Sequence, residues 1–137
     1  MINIAMVGYS EFPYSGGQGD LIDWVPEQLE GLEGLHFCYV KGMDNSKQPI
    51  NILVKEMLMR NPKILHYANY RDNYTGTSFD KDFLREVKRQ NPNLPILLTS
   101  GLPEIREVAS KLGINYKVGV FNLLDYIEKV KALTNKN

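Results

Sequence analysis

The chain has 137 residues, of which 43% are hydrophobic and 23% charged, and sixteen basic residues balance sixteen acidic ones. This size allows one domain with a single core, and the neutral balance indicates neither a nucleic-acid nor an anionic-membrane partner. No apolar run reaches the roughly 18 residues of a membrane span, and the opening strand is unlike a signal peptide. The single cysteine, Cys38, favours a reducing, cytoplasmic setting. One cysteine and two histidines give no recognisable ligand spacing, so we expect neither metal nor cofactor.

The first half of the chain predicts alternating strands and helices. Asp20 is the predicted N-cap of the first helix, and Pro26 predicts a break or restart within it, because proline removes an internal hydrogen bond. Asn45 or Ser46 caps a second helix, with Pro49 in its first turn and an apolar stripe after it. The apolar runs that predict the first three strands are Ile2–Val7, Leu35–Val40 and Ile64–Ala68.

The second half predicts three more helices and two more strands. Ser78 caps the third helix, Pro103 opens the fourth, Gly113 ends it, and Asn122 caps the fifth. The predicted strands are Ile96–Thr99 and Asn115–Val120. The predicted buried faces are Phe79, Phe83, Leu84 and Val87 in the third helix, Ile105, Val108, Ala109 and Leu112 in the fourth, and Leu123, Leu124, Ile127 and Val130 in the fifth.

Five strands alternating with five helices predict an α/β fold, a single doubly wound five-stranded parallel sheet with helices on both faces. Short apolar strands fit burial on both sides of such a sheet. In a flavodoxin-like order, chemistry belongs at the carboxyl ends of the strands, where the first and third strands flank the switch point. We expect one domain over residues 1–133 and a solvated tail over 134–137.

Three stretches in the second half share a known pattern. Pro62–Tyr67 leads into Ala68, Leu94–Thr99 leads into Ser100, and Tyr116 follows. They resemble the receiver (CheY-like) domain of two-component response regulators, which typically reads P-D-L-V-x-x-D, then L-P-V-I-x-x-T, and later Y-x-x-K-P. The resemblance implies that Ala68 is at the phosphoacceptor position, and that Ser100 and Tyr116 are at the two switch positions.

The chain departs from this pattern where phosphate chemistry needs charge. Ala68 replaces the nucleophilic aspartate, Gly119 replaces the lysine, and Gly8–Glu11 replaces the acidic pair that holds magnesium. Asp72 is a conceivable substitute acceptor. The resemblance therefore implies a degenerate, or pseudo-receiver, domain that is not an enzyme and acts through protein contacts.

The two switch positions also have an ordinary interpretation. A serine that begins a loop before a helix is commonly a helix cap, and an aromatic residue in a strand is commonly part of the core. Ser100 and Tyr116 can therefore be read either as receiver switch residues or as structural ones.

The resemblance to receivers also implies a partner surface, formed by the fourth helix, fifth strand and fifth helix, for docking or homodimer formation. It further implies that such a domain can precede an output module, such as a DNA-binding domain or a MinD-like ATPase. The exposed candidates on this surface are Glu104, Arg106, Glu107, Lys117, Tyr126 and Lys129.

The loop after the first strand supports an alternative. Phe12–Gly17 resembles the opening of retaining GT-B glycosyltransferases, F-P-P-x-x-G-G before a helix, although Tyr14 replaces the second proline. This resemblance implies a Rossmann-like domain that binds a small molecule or sugar nucleotide through loop 12–19. A GT-B enzyme needs two such domains, and a mobile surface loop is the simplest reading. The candidate ligand residues are Glu11, Ser15, Gly16, Gly17, Gln18 and Gly19.

The remaining polar residues predict ordinary structural roles. His36 and His66 lie in strands without an adjacent nucleophile or carboxylate, which favours core or sheet-end positions over catalysis. Another group comprises Tyr67, Tyr70 and Tyr74, with Arg71. These residues either form a polar-aromatic rim for a ligand or a protein partner, or pack over the carboxyl edge of the sheet. The acidic residues predicted on a solvated face of the third helix, paired with lysines and arginines, are Asp80, Asp82 and Glu86.

Overall fold

A computed structural model of the protein describes residues 1–8, 21–42, 48–70, 78–119 and 122–135. All strand pairs are parallel, and the strand order is β2-β1-β3-β4-β5. The predicted doubly wound parallel sheet is therefore confirmed. The strands are β1 (Ile2–Gly8), β2 (Leu35–Gly42), β3 (Ile64–Ala68), β4 (Ile96–Ser100) and β5 (Asn115–Val118).

Helices cover both faces of this sheet. Of those described, α1 and α5 pack on one face and α2, α3 and α4 on the other, which gives two buried apolar clusters. No helix in the described ranges is long and apolar enough to cross a membrane. The helices are α1 (Leu21–Leu29), α2 (Ile50–Leu58), α3 (Phe79–Gln90), α4 (Ile105–Leu112) and α5 (Leu123–Thr134), and a 3-10 turn covers Leu32–Gly34.

Alternation along each strand assigns side chains to the two clusters. In β1, Ile4 and Met6 face α1 and α5, whereas Ala5 and Val7 face the other three helices. Successive strand residues point to opposite faces, so a strand covered on both sides is apolar throughout. The same alternation makes neighbouring residues of β3 face different helices, so that Tyr67 faces α2, α3 and α4 whereas His66 faces α5.

Several predicted helix ends are confirmed. Gly113 ends α4 in the left-handed region, with φ 67°. The Asn122 side-chain oxygen accepts a hydrogen bond from Asp125 N at 2.8 Å and so caps α5. Ser78 is at the N-cap of α3, but its hydroxyl donates to the Asp82 carboxylate at 2.9 Å instead of accepting from the backbone.

The predicted break at Pro26 is wrong, because α1 continues through it to Leu29. Glu30 N donates to the Pro26 carbonyl at 3.0 Å, so helical bonding resumes one turn later. Val25 and Leu29 on either side are fully buried. Burying each contributes roughly 1.5–3 kcal/mol, which together offsets the cost of about 3 kcal/mol for an interior proline.

Two further boundaries differ from the sequence prediction. Pro49 is the N-cap of α2 rather than part of its first turn, and its carbonyl accepts from Leu53 N at 3.1 Å. The strand β5 ends at Val118, because Gly119 takes φ 91° and turns the chain away. The predicted caps Asp20, Asn45 and Ser46, and also Val120, lie outside the described residues.

The buried face of α5 was predicted incorrectly at two positions. Leu124 is 73% exposed, whereas Tyr126, predicted as an exposed candidate of the partner surface, is 1% exposed. The stripe that reaches the sheet is Tyr126, Val130 and Leu133, at the i, i+4, i+7 spacing of a helix face. Tyrosine can be buried here because its hydroxyl has a partner inside the core.

Candidate functional site

The carboxyl ends of four strands meet at one edge of the sheet. Gly8 pairs with Ala68 across β1 and β3, and Ser100 pairs with Val118 across β4 and β5. Three residues singled out from the sequence, Ala68, Ser100 and Gly119, are therefore brought to this edge. Parallel α/β folds bind ligands at this edge, which makes it the candidate functional site.

The ends of β1 and β3 are in unusually close contact. Ala68 is fully buried, and a Cβ atom built on Gly8 would lie 2.0 Å from the Ala68 carbonyl oxygen. Gly8 also has φ 150°, which side chains rarely adopt. Only glycine therefore fits at position 8. The backbone of Ala68 occupies the space where a side chain of residue 8 would lie.

The Ser100 hydroxyl is bound to the backbone on both sides. It donates to the Tyr70 carbonyl at 3.0 Å and accepts from Leu102 N at 3.1 Å, and the residue is 4% exposed. The N-cap of α4 is Glu104, so the helix-cap interpretation of Ser100 is wrong. Its hydroxyl instead fixes the turn after β4 to the segment after β3.

Two further predicted positions are open, one on β5 and one directly after it. The Tyr116 side chain is 42% exposed on this edge strand, so its interpretation as a core aromatic is wrong. A Cβ atom added at Gly119 would meet nothing within 4 Å among the described residues, although its φ of 91° disfavours a side chain. The Gly119 amide donates to the Ser100 carbonyl at 2.8 Å and completes the edge.

A buried carboxylate near this edge was missed by the sequence analysis. Asp80, predicted to be solvated, is 1% exposed in the first turn of α3 and accepts a 2.5 Å hydrogen bond from the Tyr67 hydroxyl. The first turn of a helix favours a negative charge. The signal was its spacing, since Asp80 precedes Phe83, Leu84 and Val87 by three, four and seven residues on the buried stripe.

The two tyrosines at the end of β3 do not form an exposed rim. Tyr67 is fully buried and Tyr70 is 1% exposed, both within the cluster under α2, α3 and α4. The interpretation as an exposed rim is therefore wrong for these two residues, and Arg71 and Tyr74 lie outside the described residues. Asn69 between them is also buried and takes a left-handed conformation with φ 61°.

The two histidines have different surroundings. His66 is fully buried, and its ring lies 3.0 Å from the Tyr126 hydroxyl through Nδ1 and 2.8 Å from the Thr99 hydroxyl through Nε2. Burial lowers the pKa of His66 to about 3, so its imidazole is neutral at physiological pH. His66 is thus a core histidine, as the sequence predicted.

His36 is partly exposed and has a carboxylate partner that the sequence did not indicate. Its Nδ1 lies 2.9 Å from Glu30 Oε2. Hydrogen bonds from His36 and then from Phe37 N lower the pKa of Glu30. A surface pair of this kind contributes little to stability.

The remaining predicted site residues lie outside the described ranges. These are the glycine-rich loop residues Glu11, Ser15, Gly16, Gly17, Gln18 and Gly19, together with Asp72. Among the residues that are described, no group of three histidines, cysteines or carboxylates could hold a metal ion.

No family model matches the chain. No curated protein matches it either. The fold is similar to several solved structures with a TM-score of 0.64. The response regulator TrrA from Thermotoga maritima, solved in complex with Mg²⁺ and BeF, is 19% identical, covering 97% of this chain and 99% of that one. The chemotaxis protein CheY4 from Vibrio cholerae is 13% identical, covering 97% and 98%. A CheY-like protein, tadZ, from Pseudomonas aeruginosa PAO1 is 10% identical, covering 100% and 96%. The TM-scores show that the chain has a CheY-like fold. Because the identities are this low, the similarity shows the fold alone, and function must be argued from the residues.

Proposed function

We propose that this chain is a degenerate receiver-like regulatory domain that acts through protein contacts and accepts no phosphoryl group. The observation that carries the proposal is the chemistry of the carboxyl edge. Gly8 and Ala68 end their strands there, Gly119 directly follows β5, and the Ser100 hydroxyl is bound to backbone groups.

Phosphoryl transfer to a receiver needs a carboxylate nucleophile, a magnesium ion held by carboxylates and a cation beside the transferred group. The methyl group of Ala68 cannot attack phosphorus, and Gly119 carries no charge. Asp80 offers a carboxylate, but it is 1% exposed and bound to the Tyr67 hydroxyl, so a phosphoryl donor in solvent cannot approach it.

A surface suited to protein contacts lies on α4, β5 and α5. It combines the exposed Tyr116 of β5 with charges of both signs. Exposed aromatic and apolar groups surrounded by charge are typical of contact sites. A groove of about 380 Å³ between β5 and α5 adds further charged residues. The groove is lined by Lys117, Asp125, Glu128, Lys129 and Ala132.

The phosphate part of the proposal is tested by amide NMR spectra with Mg²⁺ alone and with Mg²⁺ plus beryllofluoride. We expect the spectra to be identical, while a phosphorylatable receiver treated in parallel shifts strongly. Incubation with acetyl phosphate and Mg²⁺ should likewise add no phosphoryl mass. A Mg²⁺-dependent shift or a stable aspartyl phosphate would overturn this part, and Asp80→Asn would then show whether Asp80 is the acceptor.

The contact part is tested by self-association, since a homodimer is the partner that can be assayed with this chain alone. Light scattering over a concentration series should give a mass that rises toward a dimer. Tyr116→Glu should keep the chain monomeric, because it places a charge at the exposed aromatic position of β5 on this surface. Ile52→Glu is the matched control, since Ile52 is 44% exposed on α2, away from this surface. A dimer weakened equally by both substitutions would contradict the surface, and a monomer at every concentration would contradict the homodimer.

A further inference from the structure

Three polar side chains form a connected group inside an otherwise apolar layer. His66 of β3 lies between the Thr99 hydroxyl of β4 and the Tyr126 hydroxyl of α5, at 2.8 and 3.0 Å. All three are at most 1% exposed, and the rest of the buried cluster beneath α1 and α5 is aliphatic or aromatic. Buried polar groups cost several kcal/mol unless they are paired, so these three are held together tightly.

A neutral imidazole suits this place between two hydroxyl groups. One ring nitrogen donates and the other accepts, whereas each hydroxyl can do either, so either tautomer completes both bonds. An apolar side chain at position 66 would leave both hydroxyls without this partner. His66 therefore fixes Tyr126 relative to Thr99 in a way that apolar packing alone would not.

Each end of this group is attached to a different part of the molecule. Thr99 is the penultimate residue of β4, and its carbonyl accepts from Tyr70 N at 3.3 Å. The next residue, Ser100, holds the turn after β4 through its hydroxyl. At the other end, Tyr126 lies in the first turn of α5, four residues after the cap Asn122. The His66 imidazole therefore connects the carboxyl end of β4 to the first turn of α5.

We propose that His66 is a positioning residue that couples the carboxyl edge of β4 to the position of α5. A change that moves the end of β4 is transmitted through Thr99 and the imidazole to Tyr126, and so to the surface of α5. The proposal goes beyond the proposed function, because it holds whatever the carboxyl edge binds. Coupling of this kind is reciprocal, so a change at Tyr126 must also reach the turn after β4.

The test is a double-mutant cycle read by amide hydrogen exchange in α5. Thr99→Val should raise exchange of the first turns of α5 about 2- to 13-fold, the factor that corresponds to losing one net hydrogen bond of about 0.5–1.5 kcal/mol. In a Tyr126→Phe background the same substitution should leave α5 exchange unchanged, because the connection is already broken. In a Tyr116→Phe background its effect should persist, since Tyr116 is exposed on β5. Thr99→Ser, which keeps the hydroxyl, should behave as the original protein.

A purely structural role for Thr99 predicts a different result, the same rise in α5 exchange in both tyrosine backgrounds. That result would overturn the proposal. A second measurement does not depend on exchange: Tyr126→Phe should shift the amide resonances of Ser100 and Leu102 together with the ¹⁵N resonances of the His66 ring. If the ring resonances move while those two amides do not, His66 binds Tyr126 but transmits nothing, and the proposal is likewise wrong.

Discussion

Burial of His66 gives the protein a stability that depends on pH. The pKa of this imidazole is about 3 in the folded state and about 6.5 when unfolded. Below pH 6.5 the unfolded chain binds a proton that the folded chain does not, so the free energy of unfolding falls as pH decreases. The loss is small above pH 6.5 and grows progressively down to about pH 3.

The magnitude follows from the two pKa values. Relative to alkaline pH, the folded state loses about 0.2 kcal/mol at pH 7 and about 2 kcal/mol at pH 5, so the change across this window is about 2 kcal/mol. A carboxyl group with a lowered pKa changes the free energy of unfolding mainly at a pH below this window. Hydrogen bonds from Arg89 and Gln90 hold the pKa of Glu86 at about 2, so its effect on stability appears below its usual pKa of 4.5.

The measurement is urea unfolding at pH 7, 6 and 5. The original protein should lose about 2 kcal/mol across this range, whereas His66→Gln should lose about 2 kcal/mol less, because glutamine pairs with the hydroxyls but does not titrate. His36→Gln is the matched control, since it removes the chain's other histidine and should leave the loss due to His66 in place. If His66→Gln retains the full pH dependence, the buried imidazole is not its source and the reasoning is refuted.

Three further outcomes are expected. Gly8→Ala should destabilise the fold by at least ~2 kcal/mol in urea unfolding, because its Cβ would overlap a carbonyl of the neighbouring strand. Gly101→Ala is the control and should change stability by under about 0.5 kcal/mol, since the space around Gly101 is open. Equal effects of the two substitutions would contradict the close approach of β1 and β3. Tyr67→Phe should cost about 1–3 kcal/mol, since it removes a hydrogen bond from the buried Asp80 carboxylate, and a neutral result would mean that other partners satisfy Asp80. Leu124→Ser should leave the thermal midpoint within about 2 °C, because this leucine is exposed, and a large drop would place it in the core.

Strand and helix identity could be predicted from the sequence because both are local properties. Ile64–Ala68 is continuous and apolar, which is how a strand buried on both faces reads, and it is β3 with those bounds. The stripe of α3 follows from a spacing of three and four residues. The alternation of strands and helices then predicts a parallel sheet. In such a sheet the carboxyl ends of the strands lie along one edge, which brings Ala68 and Ser100 together.

Partners distant in the chain could not be predicted in the same way. His66 binds residues 33 and 60 positions further on, and no periodicity links them. On α5, hydropathy alone predicts that Leu124 is buried and Tyr126 exposed, and the structure shows the opposite. Tyrosine is buried instead because the fold supplies His66 as a partner for its hydroxyl.

The sequence by itself thus determined the order of elements, the two faces of the sheet and the absence of a charged side chain at Ala68 and Gly119. The tertiary structure alone decided which polar groups are buried and what pairs with them. The physical reason is that amphipathic patterns depend on neighbours within a turn or a strand. The pairing of a buried His66 or Asp80 depends on which distant side chain the packed fold brings within hydrogen-bond distance.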